Sequence, residues 1–207
     1  MNYPVCSGFL NNSKEFIHAL DNINLDIYKG EILGLVGESG CGKSTLGKSV
    51  LRLIEPEGEV IYEGKNILNM DRKGLKNFRK KAQMIFQNPY SSLDPRMTVF
   101  DILREPLVVH GIREKKTIKE RIFKILSLTG LDEEVLRRYP HEFSGGQRQR
   151  IAIARALVLE PEFLVADEPV SALDVSIQAQ IIKLLLELKE KLNLTILFVS
   201  HDLGVVK

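Results

Sequence analysis

Residues 37–45 read GESGCGKST, and this segment constrains the fold more than any other. Its spacing fits the phosphate-binding loop G-x-x-x-x-G-K-[ST]. The apolar run Ile32–Val36 precedes it and the helix-like stretch 43–55 follows it, which is the strand-loop-helix context that such a loop requires. The other interpretation, a plain glycine-rich turn, does not explain this context. The segment therefore predicts an α/β chain with a phosphate site between a strand and a helix.

The chemistry of this phosphate loop assigns roles to its residues. Its glycines let successive backbone N–H groups face phosphate oxygens, and the following helix adds the positive end of its dipole. Lys43 can reach the β- and γ-phosphates, and the Ser44 hydroxyl can ligate Mg²⁺. We therefore expect ATP and Mg²⁺ as cofactors, bound by Gly37, Glu38, Ser39, Gly40, Cys41, Gly42, Lys43, Ser44 and Thr45.

Short apolar runs predict the strands of a buried parallel sheet. The runs are Ile32–Val36, Phe163–Ala166 and Thr195–Val199, with Met84–Phe86 as a candidate fourth. Strands that are covered on both faces read as continuous apolar runs and do not alternate. Because helix-like stretches lie between the runs, we expect an α/β fold with a mainly parallel central sheet.

Three regions depart from this pattern. Leu20–Tyr28 and Gly58–Ile67 alternate apolar and polar residues, which predicts an antiparallel β piece in the N-terminal part of the chain. Residues 90–158 lack strand signals and predict a helical subdomain inserted between two strands. We therefore expect one domain over residues 1–207, with a core of about 1–89 and 159–207 and a helical part of about 90–158.

Two adjacent carboxylates, Asp167 and Glu168, follow the predicted strand at 163–166. The carboxyl ends of parallel strands face the same crevice as the phosphate loop. Asp167 is therefore expected to hold Mg²⁺ through water, and Glu168 to polarise an attacking water molecule. A turn that caps the next helix is the other interpretation of such a pair. The phosphate loop in the same chain favours the catalytic one.

Three further sites carry weaker signals. Ser144, Gly145, Gly146 and Gln147 open a helix, so they predict a second anion site, although a capped surface helix has the same pattern. Gln87 ends a candidate strand, where its amide can contact Mg²⁺ or the attacking water. His201 follows the predicted strand at 195–199 and is expected beside the γ-phosphate.

Composition limits the function classes. A net charge of +2 does not favour a nucleic-acid-binding protein. No apolar run approaches the roughly 20 residues that span a bilayer, and the N-terminus lacks a secretory signal. The two cysteines do not have metal-binding spacing. We expect a cytoplasmic protein without nucleic-acid partners.

Together these motifs resemble those of the ATP-binding-cassette (ABC) ATPases. The matching segments are GESGCGKST at 37–45, Gln87, FSGGQRQR at 143–150, FLVADE at 163–168, SALD at 171–174 and Ser200-His201-Asp202. Their order and spacing fit across essentially the whole chain. Phe143 departs from the family, whose signature usually begins with Leu. Segments 87–99, 138–157 and 167–181 look like the ATPase subunits of oligopeptide and dipeptide importers, and nickel and glutathione importers share much of this pattern.

The resemblance implies a composite site. In this family two cassettes pack head to tail, so the segment Ser144–Gln147 of one subunit meets the γ-phosphate held by the Lys43 loop of the other. It also implies that Glu168 is the general base, that His201 contacts the γ-phosphate and that Asp174 couples the two sites.

The resemblance further implies partners and a location. Gln87 and the segment after it are expected to sense an integral membrane permease, with a solute-binding protein acting indirectly, at the inner face of the cell membrane. An aromatic residue near the N-terminus usually stacks on adenine; Tyr3 is the first candidate and Phe16 the second. Because family members normally extend beyond both ends of this chain, we expect a truncated cassette.

Three functions stay open at this point. The first is an importer ATPase. The second is a soluble cassette ATPase that acts on nucleic acid or ribosomes, against which the single cassette and the modest charge argue. The third is an ATP-binding module with little turnover, which the expected truncation keeps open. The transported solute is chosen largely by the permease and the binding protein, outside this chain.

Overall fold

The computed structural model describes residues 2–5, 15–202 and 204, and for residues 2–5 and 15–18 it describes the backbone alone. The strands are β1 (Asn2–Val5), β2 (Glu15–His18), β3 (Ile32–Val36), β4 (Ile61–Tyr62), β5 (Lys65–Asn66), β6 (Ala82–Ile85), β7 (Phe163–Asp167) and β8 (Thr195–Ser200). The helices are α1 (Lys43–Val50), α2 (Arg72–Lys81), α3 (Pro89–Ser92), α4 (Val99–Val109), α5 (Lys115–Thr129), α6 (Gly145–Leu157) and α7 (Val175–Leu192). Short 3₁₀ turns occupy Ile67–Asn69, Glu133–Arg137 and Pro140–Glu142.

A four-stranded parallel sheet in the order β3-β8-β7-β6 lies at the centre. This confirms the predicted α/β fold with a parallel sheet. β3 has the predicted bounds, β7 and β8 each run one residue further, and β6 begins two residues before the candidate strand. Because the four strands are parallel, their carboxyl ends meet at one edge, which is where the predicted site residues lie.

Apolar side chains cover both faces of this sheet. In β7, Phe163 and Val165 pack in one cluster with Phe78 of α2, while Leu164 and Ala166 pack on the other face with the cluster of α4 to α7. Such two-sided burial explains why β7 and β8 read as continuous apolar runs.

Two antiparallel pairs accompany the central sheet. β1 pairs with β2, and Asn2 lies opposite His18. β4 pairs with β5 within the predicted segment Gly58–Ile67. Glu63 and Gly64 form its turn with φ of 48° and 75°, as a two-residue hairpin with positive φ at both positions requires. This part of the antiparallel prediction is confirmed.

The prediction of a strand in Leu20–Tyr28 is wrong, because the backbone there is not part of any strand. Ile23, Leu25 and Tyr28 are exposed, so in the described part of the chain the alternating pattern has no sheet face to cover. Alternation alone does not form a strand when no neighbouring strand supplies hydrogen bonds.

Helices α3 to α6 lie between β6 and β7 in the chain and pack into the same cluster as one face of the sheet. The expected boundaries of a helical subdomain at about 90 and 158 stay a prediction. Within the described residues, none of the helices combines the length and the apolar content needed to cross a bilayer.

Candidate active site

The phosphate loop joins β3 to α1 at the carboxyl edge of the sheet. Gly40 and Gly42 have φ of 83° and 96°, a region that favours glycine. A Cβ on Gly42 would lie 2.1 Å from the carbonyl oxygen of Ala19. Position 42 therefore admits only glycine, both for backbone angle and for space.

Lys43 begins α1 and is only 7% exposed. Its Nζ donates hydrogen bonds to the carbonyl oxygens of Gly37 at 2.7 Å and Glu38 at 2.6 Å. An ammonium group bonds more strongly to charged oxygens than to neutral carbonyls. This lysine is therefore positioned to exchange loop carbonyls for phosphate oxygens, and the loop fits the phosphates of a nucleotide.

Ser44 and Asp167 form the second contact of the crevice. The Ser44 hydroxyl donates to Oδ1 of Asp167 at 2.9 Å, which joins the start of α1 to the end of β7. Asp167 is 3% exposed, and this burial is the main reason that its pKa is raised above the usual value, although the Ser44 hydrogen bond and Lys48 oppose the shift.

A hydroxyl and a carboxylate are hard oxygen ligands, the kind that Mg²⁺ prefers. Among the described residues, no group of three His, Cys, Asp or Glu side chains is placed to hold a metal ion alone. The pair Ser44 and Asp167 thus fits an ion that arrives with substrate phosphates, which is how Mg²⁺ usually binds in such sites.

Glu168 holds the most constrained carboxylate of the crevice. Its Oε2 accepts a hydrogen bond from Nε2 of Gln87 at 2.9 Å and lies 3.1 Å from Nδ1 of His201. The Glu168 side chain is 10% exposed, whereas that of His201 is 51% exposed. The ends of β6, β7 and β8 therefore bring Gln87, Glu168 and His201 together, although these residues are far apart in the sequence.

The backbone of Glu168 is itself unusual. Its φ is 44°, which is uncommon for a residue other than glycine, and its N–H donates to the carbonyl of Val199 at 3.0 Å. Such backbone geometry concentrates at functional sites, where the surrounding structure holds it in place. The backbone geometry of Glu168 and the contacts of its side chain with Gln87 and His201 thus both hold the carboxylate in place.

Ser144 caps α6. Its Oγ accepts from the N–H of Gln147 at 3.3 Å, and Oε1 of Gln147 accepts from the N–H of Ser144 at 3.1 Å, which makes a capping box. A Cβ on Gly146 would lie 2.7 Å from Cγ2 of Ile177, so α6 begins in close contact with α7. Within the described chain, no hydrogen bond joins this segment, residues 144–147, to the phosphate loop.

Asp174 precedes α7 close to this signature segment. Its side chain is exposed and makes no capping hydrogen bond to the helix. The next residue, Val175, is 81% exposed. Among the described residues, no side-chain hydrogen bond joins Ser144–Gln147 or Asp174 to Lys43, Asp167 or Glu168. The side chains of Tyr3 and Phe16, the candidates for adenine stacking, lie outside the described residues.

Two arginine contacts were not anticipated from the sequence. The Arg148 guanidinium lies 4.1 Å from the ring centroid of Tyr90, and Nη1 of Arg155 donates to the carbonyl of Ser92 at 2.7 Å. Both arginines belong to α6, which the signature segment opens, and both partners follow Gln87. The available signals in the sequence were the arginines in and after the FSGGQRQR motif and the tyrosine three residues after Gln87. The sequence did not show that these two segments would be in contact.

Comparison with known proteins identifies the family. The sequence profile described as "ABC transporter" matches residues 20–171. The chain is 57% identical over 194 residues to the oligopeptide transport ATP-binding protein OppF of Bacillus subtilis, covering 92% of this chain and 64% of that protein. It is 50% identical over 206 residues to the glutathione import ATP-binding protein GsiA of Pectobacterium atrosepticum, covering 99% of this chain and 33% of that protein.

A solved structure agrees with these matches. It shows the ATP-binding cassette MJ0796 as a dimer in a post-hydrolysis state bound to ADP and Pi, and it aligns with a TM-score of 0.83 at 34% identity, covering 99% of this chain and 87% of that one. The chain spans 64% of the length of OppF and less of GsiA, so it corresponds to part of those relatives. On the matches to the profile, the relatives and the cassette structure, this chain belongs to the ABC transporter family.

Proposed function

We propose that this chain is the ATP-binding and ATP-hydrolysing part of a membrane importer for oligopeptides, dipeptides or a related small solute. The main support for ATP hydrolysis is the Glu168 carboxylate, which Gln87 and His201 contact. It lies at the same edge of the sheet as Lys43 and Asp167. The transport half is supported by relatives named for oligopeptide transport and glutathione import.

The phosphate loop would hold the β- and γ-phosphates of ATP. Lys43 would exchange the carbonyl oxygens of Gly37 and Glu38 for phosphate oxygens. Ser44 and Asp167 would hold Mg²⁺, with Gln87 as a further candidate ligand. When bound, the ion supplies neutralisation of the negative charge that develops on the phosphates.

Glu168 would act as the general base. It would accept the proton of a water molecule as that water attacks the γ-phosphorus, with ADP as the leaving group and phosphate as the second product. Gln87 and His201 orient the carboxylate, and His201, which is half exposed, can turn toward the γ-phosphate. Phosphoryl transfer depends mainly on such positioning and on charge neutralisation.

A second cassette would complete the site. The segment Ser144–Gln147 lies close to the start of α7, where Asp174 and Val175 are exposed, and no described hydrogen bond joins it to the phosphate loop of its own chain. We therefore assign this surface to the crevice of a partner cassette packed head to tail. A related cassette solved as a dimer with ADP and Pi supports this arrangement.

The permease would dock in a groove of about 610 Å³. It is lined by Tyr90, Ser91, Ser92, Leu93, Asp94, Pro95, Arg96, Met97, Ile102, Glu105 and Arg155. Residues 90–97, which form much of this lining, follow Gln87 closely in the chain. Arg148 and Arg155 of α6 contact Tyr90 and Ser92 of this segment. A partner seated there could influence both Gln87 and the signature segment. A solute-binding protein would act only through the permease, and the chain would lie at the inner face of the membrane.

The test compares two variants with the unmodified chain. Glu168→Gln should lower phosphate release by at least about 100-fold, the usual contribution of a general base, while calorimetry shows ATP binding preserved. Lys43→Ala should lose tight ATP binding itself. Full turnover by Glu168→Gln would remove this residue as the base. An unmodified chain that binds ATP without releasing phosphate would reduce the proposal to an ATP-binding module.

A further inference from the structure

Helix α2 carries six basic residues among its ten and lacks acidic ones. Arg72, Lys76 and Lys80 recur every fourth residue, so they line one side of the helix, and Lys73 stands beside them. Arg72, Lys73 and Lys76 are exposed and Lys80 is partly buried. We call these four residues the basic stripe. Phe78, on the opposite side, is buried in the core.

Interactions within α2 do not explain the basic stripe. Arg72 with Lys76, and Lys76 with Lys80, are like-charged pairs four residues apart, which destabilise a helix. Arg72 and Lys73 also stand in the first turn, where a positive charge opposes the helix dipole. Only Lys80, in the last turn, is favoured by the dipole.

The other two cations of α2 have partners elsewhere in the chain. Arg79 donates to the backbone carbonyl of Arg52, and Lys81 pairs with Glu63 and Glu162. By contrast, in the part of the chain that the structure describes, no ion pair involves a residue of the basic stripe. The stripe is therefore a concentration of positive charge that forms no ion pair among the described residues.

The charges of the basic stripe reach the C-terminal end of α4. Burial lowers the pKa of His110, the residue that follows α4, and the charges of Lys76 and Lys80 lower it further. Helix α4 also contributes Glu105 to the groove. The helix that contributes to the groove therefore ends at the residue on which the charges of Lys76 and Lys80 act.

Two acidic groups stand near the stripe. Asp71 caps α2 and accepts a hydrogen bond from the N–H of Gly74. Glu160 pairs with Lys124 and Arg121, and its pKa is lowered mainly by Lys124 and to a smaller extent by the charge of Lys80.

We propose that the basic stripe binds the anionic lipid headgroups of the membrane that carries the permease. This rests on the proposed importer function, which places the groove toward that membrane. Headgroups suit the stripe because it consists of long, flexible cations in a row, without a shaped pocket, and clusters of Lys and Arg on an amphipathic helix bind anionic lipid surfaces. The net charge of +2 for the whole chain makes the attraction local to this helix.

The test is sedimentation of the full chain with vesicles, without nucleotide. The vesicles contain phosphatidylcholine alone or mixed with phosphatidylglycerol. The variant Arg72→Gln/Lys76→Gln/Lys80→Gln removes three charges of the stripe. The matched control, Lys115→Gln/Lys116→Gln/Lys119→Gln, removes three exposed charges from α5. Because the stripe variant loses like-charge repulsion, it should fold at least as well as the unmodified chain, which circular dichroism checks.

The unmodified chain should bind the anionic vesicles and not the neutral ones. One basic residue near an anionic surface changes binding by about fivefold, so the stripe variant should lose on the order of 100-fold. The α5 control should stay close to the unmodified chain, and added salt should weaken binding.

Three outcomes would overturn the proposal. An equal loss of vesicle binding in the stripe variant and the α5 control would show that binding depends on net charge and not on the position of the stripe. Binding to soluble poly-glutamate but not to vesicles would point to an acidic protein partner. Stronger stripe-dependent binding to duplex DNA would point to nucleic acid. Since ATP is absent, failure here leaves the ATPase proposal standing, and a chain without turnover still gives a clear vesicle result.

Discussion

Asp167 and Lys43 are opposite charges buried in the same crevice, 3% and 7% exposed, yet neither has the other as its bonded partner. Asp167 accepts from a neutral hydroxyl, and Lys43 donates to neutral carbonyls. Burying a charge without a charged partner costs free energy. Phosphates and Mg²⁺ would supply the missing partners, so the proposed ligand should also stabilise the fold by binding the native state alone.

This cost leads to a prediction for Asp167→Asn. Because burial raises the pKa of Asp167 in the folded chain, its contribution to stability is present below the unfolded pKa and is lost as the pH rises through the folded value. At neutral pH the carboxylate is thus a net cost. Asparagine can still accept a hydrogen bond from Ser44. The free energy of unfolding of the variant should therefore exceed that of the unmodified chain by on the order of 1 kcal/mol.

Urea unfolding followed by circular dichroism at pH 4.5 and pH 7 measures this effect. The advantage of Asp167→Asn should be larger at pH 7, and the variant should lose ATP turnover. Asp132→Asn, which changes an exposed carboxyl, is the control and should not shift with pH in this way. A variant that is less stable than the unmodified chain at pH 7 would contradict the burial account.

The same residues show what sequence could predict at this scale. Each motif residue could be identified because its side chain has a specific chemistry at a known spacing from a strand or a helix. Their partnerships could not be predicted. Glu168 meets Gln87, 81 residues away, and His201, 33 residues away, only because β6, β7 and β8 are neighbours in the sheet. Strand order depends on long-range packing, which local patterns do not record.

At the scale of elements, the buried strands were the easiest to predict and the exposed segments the hardest. β7 and β8 are covered on both faces, so nearly every residue is apolar and the pattern is clear. β3 is less buried, with Ile32 and Gly34 exposed, but its apolar run could be identified because it precedes the phosphate loop. Leu20–Tyr28 alternates like a strand but lacks a partner in the described chain. Helix α2 was not anticipated, because its cations outnumber the apolar residues that mark its buried face.

Arg155 tests whether α6 controls the segment after Gln87. Its Nη1 donates to the carbonyl of Ser92 at 2.7 Å, and it is the only side chain among the described residues that bonds this carbonyl. A hydrogen bond from a charged donor is worth about 1.5–3 kcal/mol. Arg155→Met keeps the apolar stem but removes the bond, so local opening of residues 88–97 should rise by roughly tenfold or more.

Hydrogen exchange followed by mass spectrometry measures this opening. Amides of residues 88–97 should exchange faster in Arg155→Met, while those of β7 stay protected. Arg104→Met, which changes an exposed arginine of α4, is the control and should leave the segment unchanged. Unaltered exchange in Arg155→Met would mean that α6 does not stabilise residues 88–97. A partner in the groove could then influence the crevice only through Gln87.

At the scale of the whole molecule, the chain has two groups of motif residues that no described side-chain hydrogen bond connects. The crevice at the sheet edge carries Lys43, Asp167 and Glu168, and the second group is the signature segment with Asp174. Val175 adds an apolar side chain that is 81% exposed beside Asp174. A single exposed apolar residue is ordinary at a protein surface, so the proposed role of this surface depends on the signature segment and on the related cassette that was solved as a dimer. Under the proposed function, one chain holds two different halves of a site, and two chains packed head to tail complete two sites.

Ser144→Arg tests this arrangement directly. Ser144 is exposed at the start of α6, and no described hydrogen bond joins it to the phosphate loop of its own chain, so an arginine there should leave ATP binding by the single chain intact. In the head-to-tail dimer its bulk would meet the partner's phosphate loop. In a Glu168→Gln background, light scattering should show ATP-dependent dimers that Ser144→Arg abolishes. Ser127→Arg, which places the same side chain on the exposed face of α5, should dimerise normally. Dimers that survive Ser144→Arg would place the signature segment outside the interface, and the crevice would then have to work within one chain.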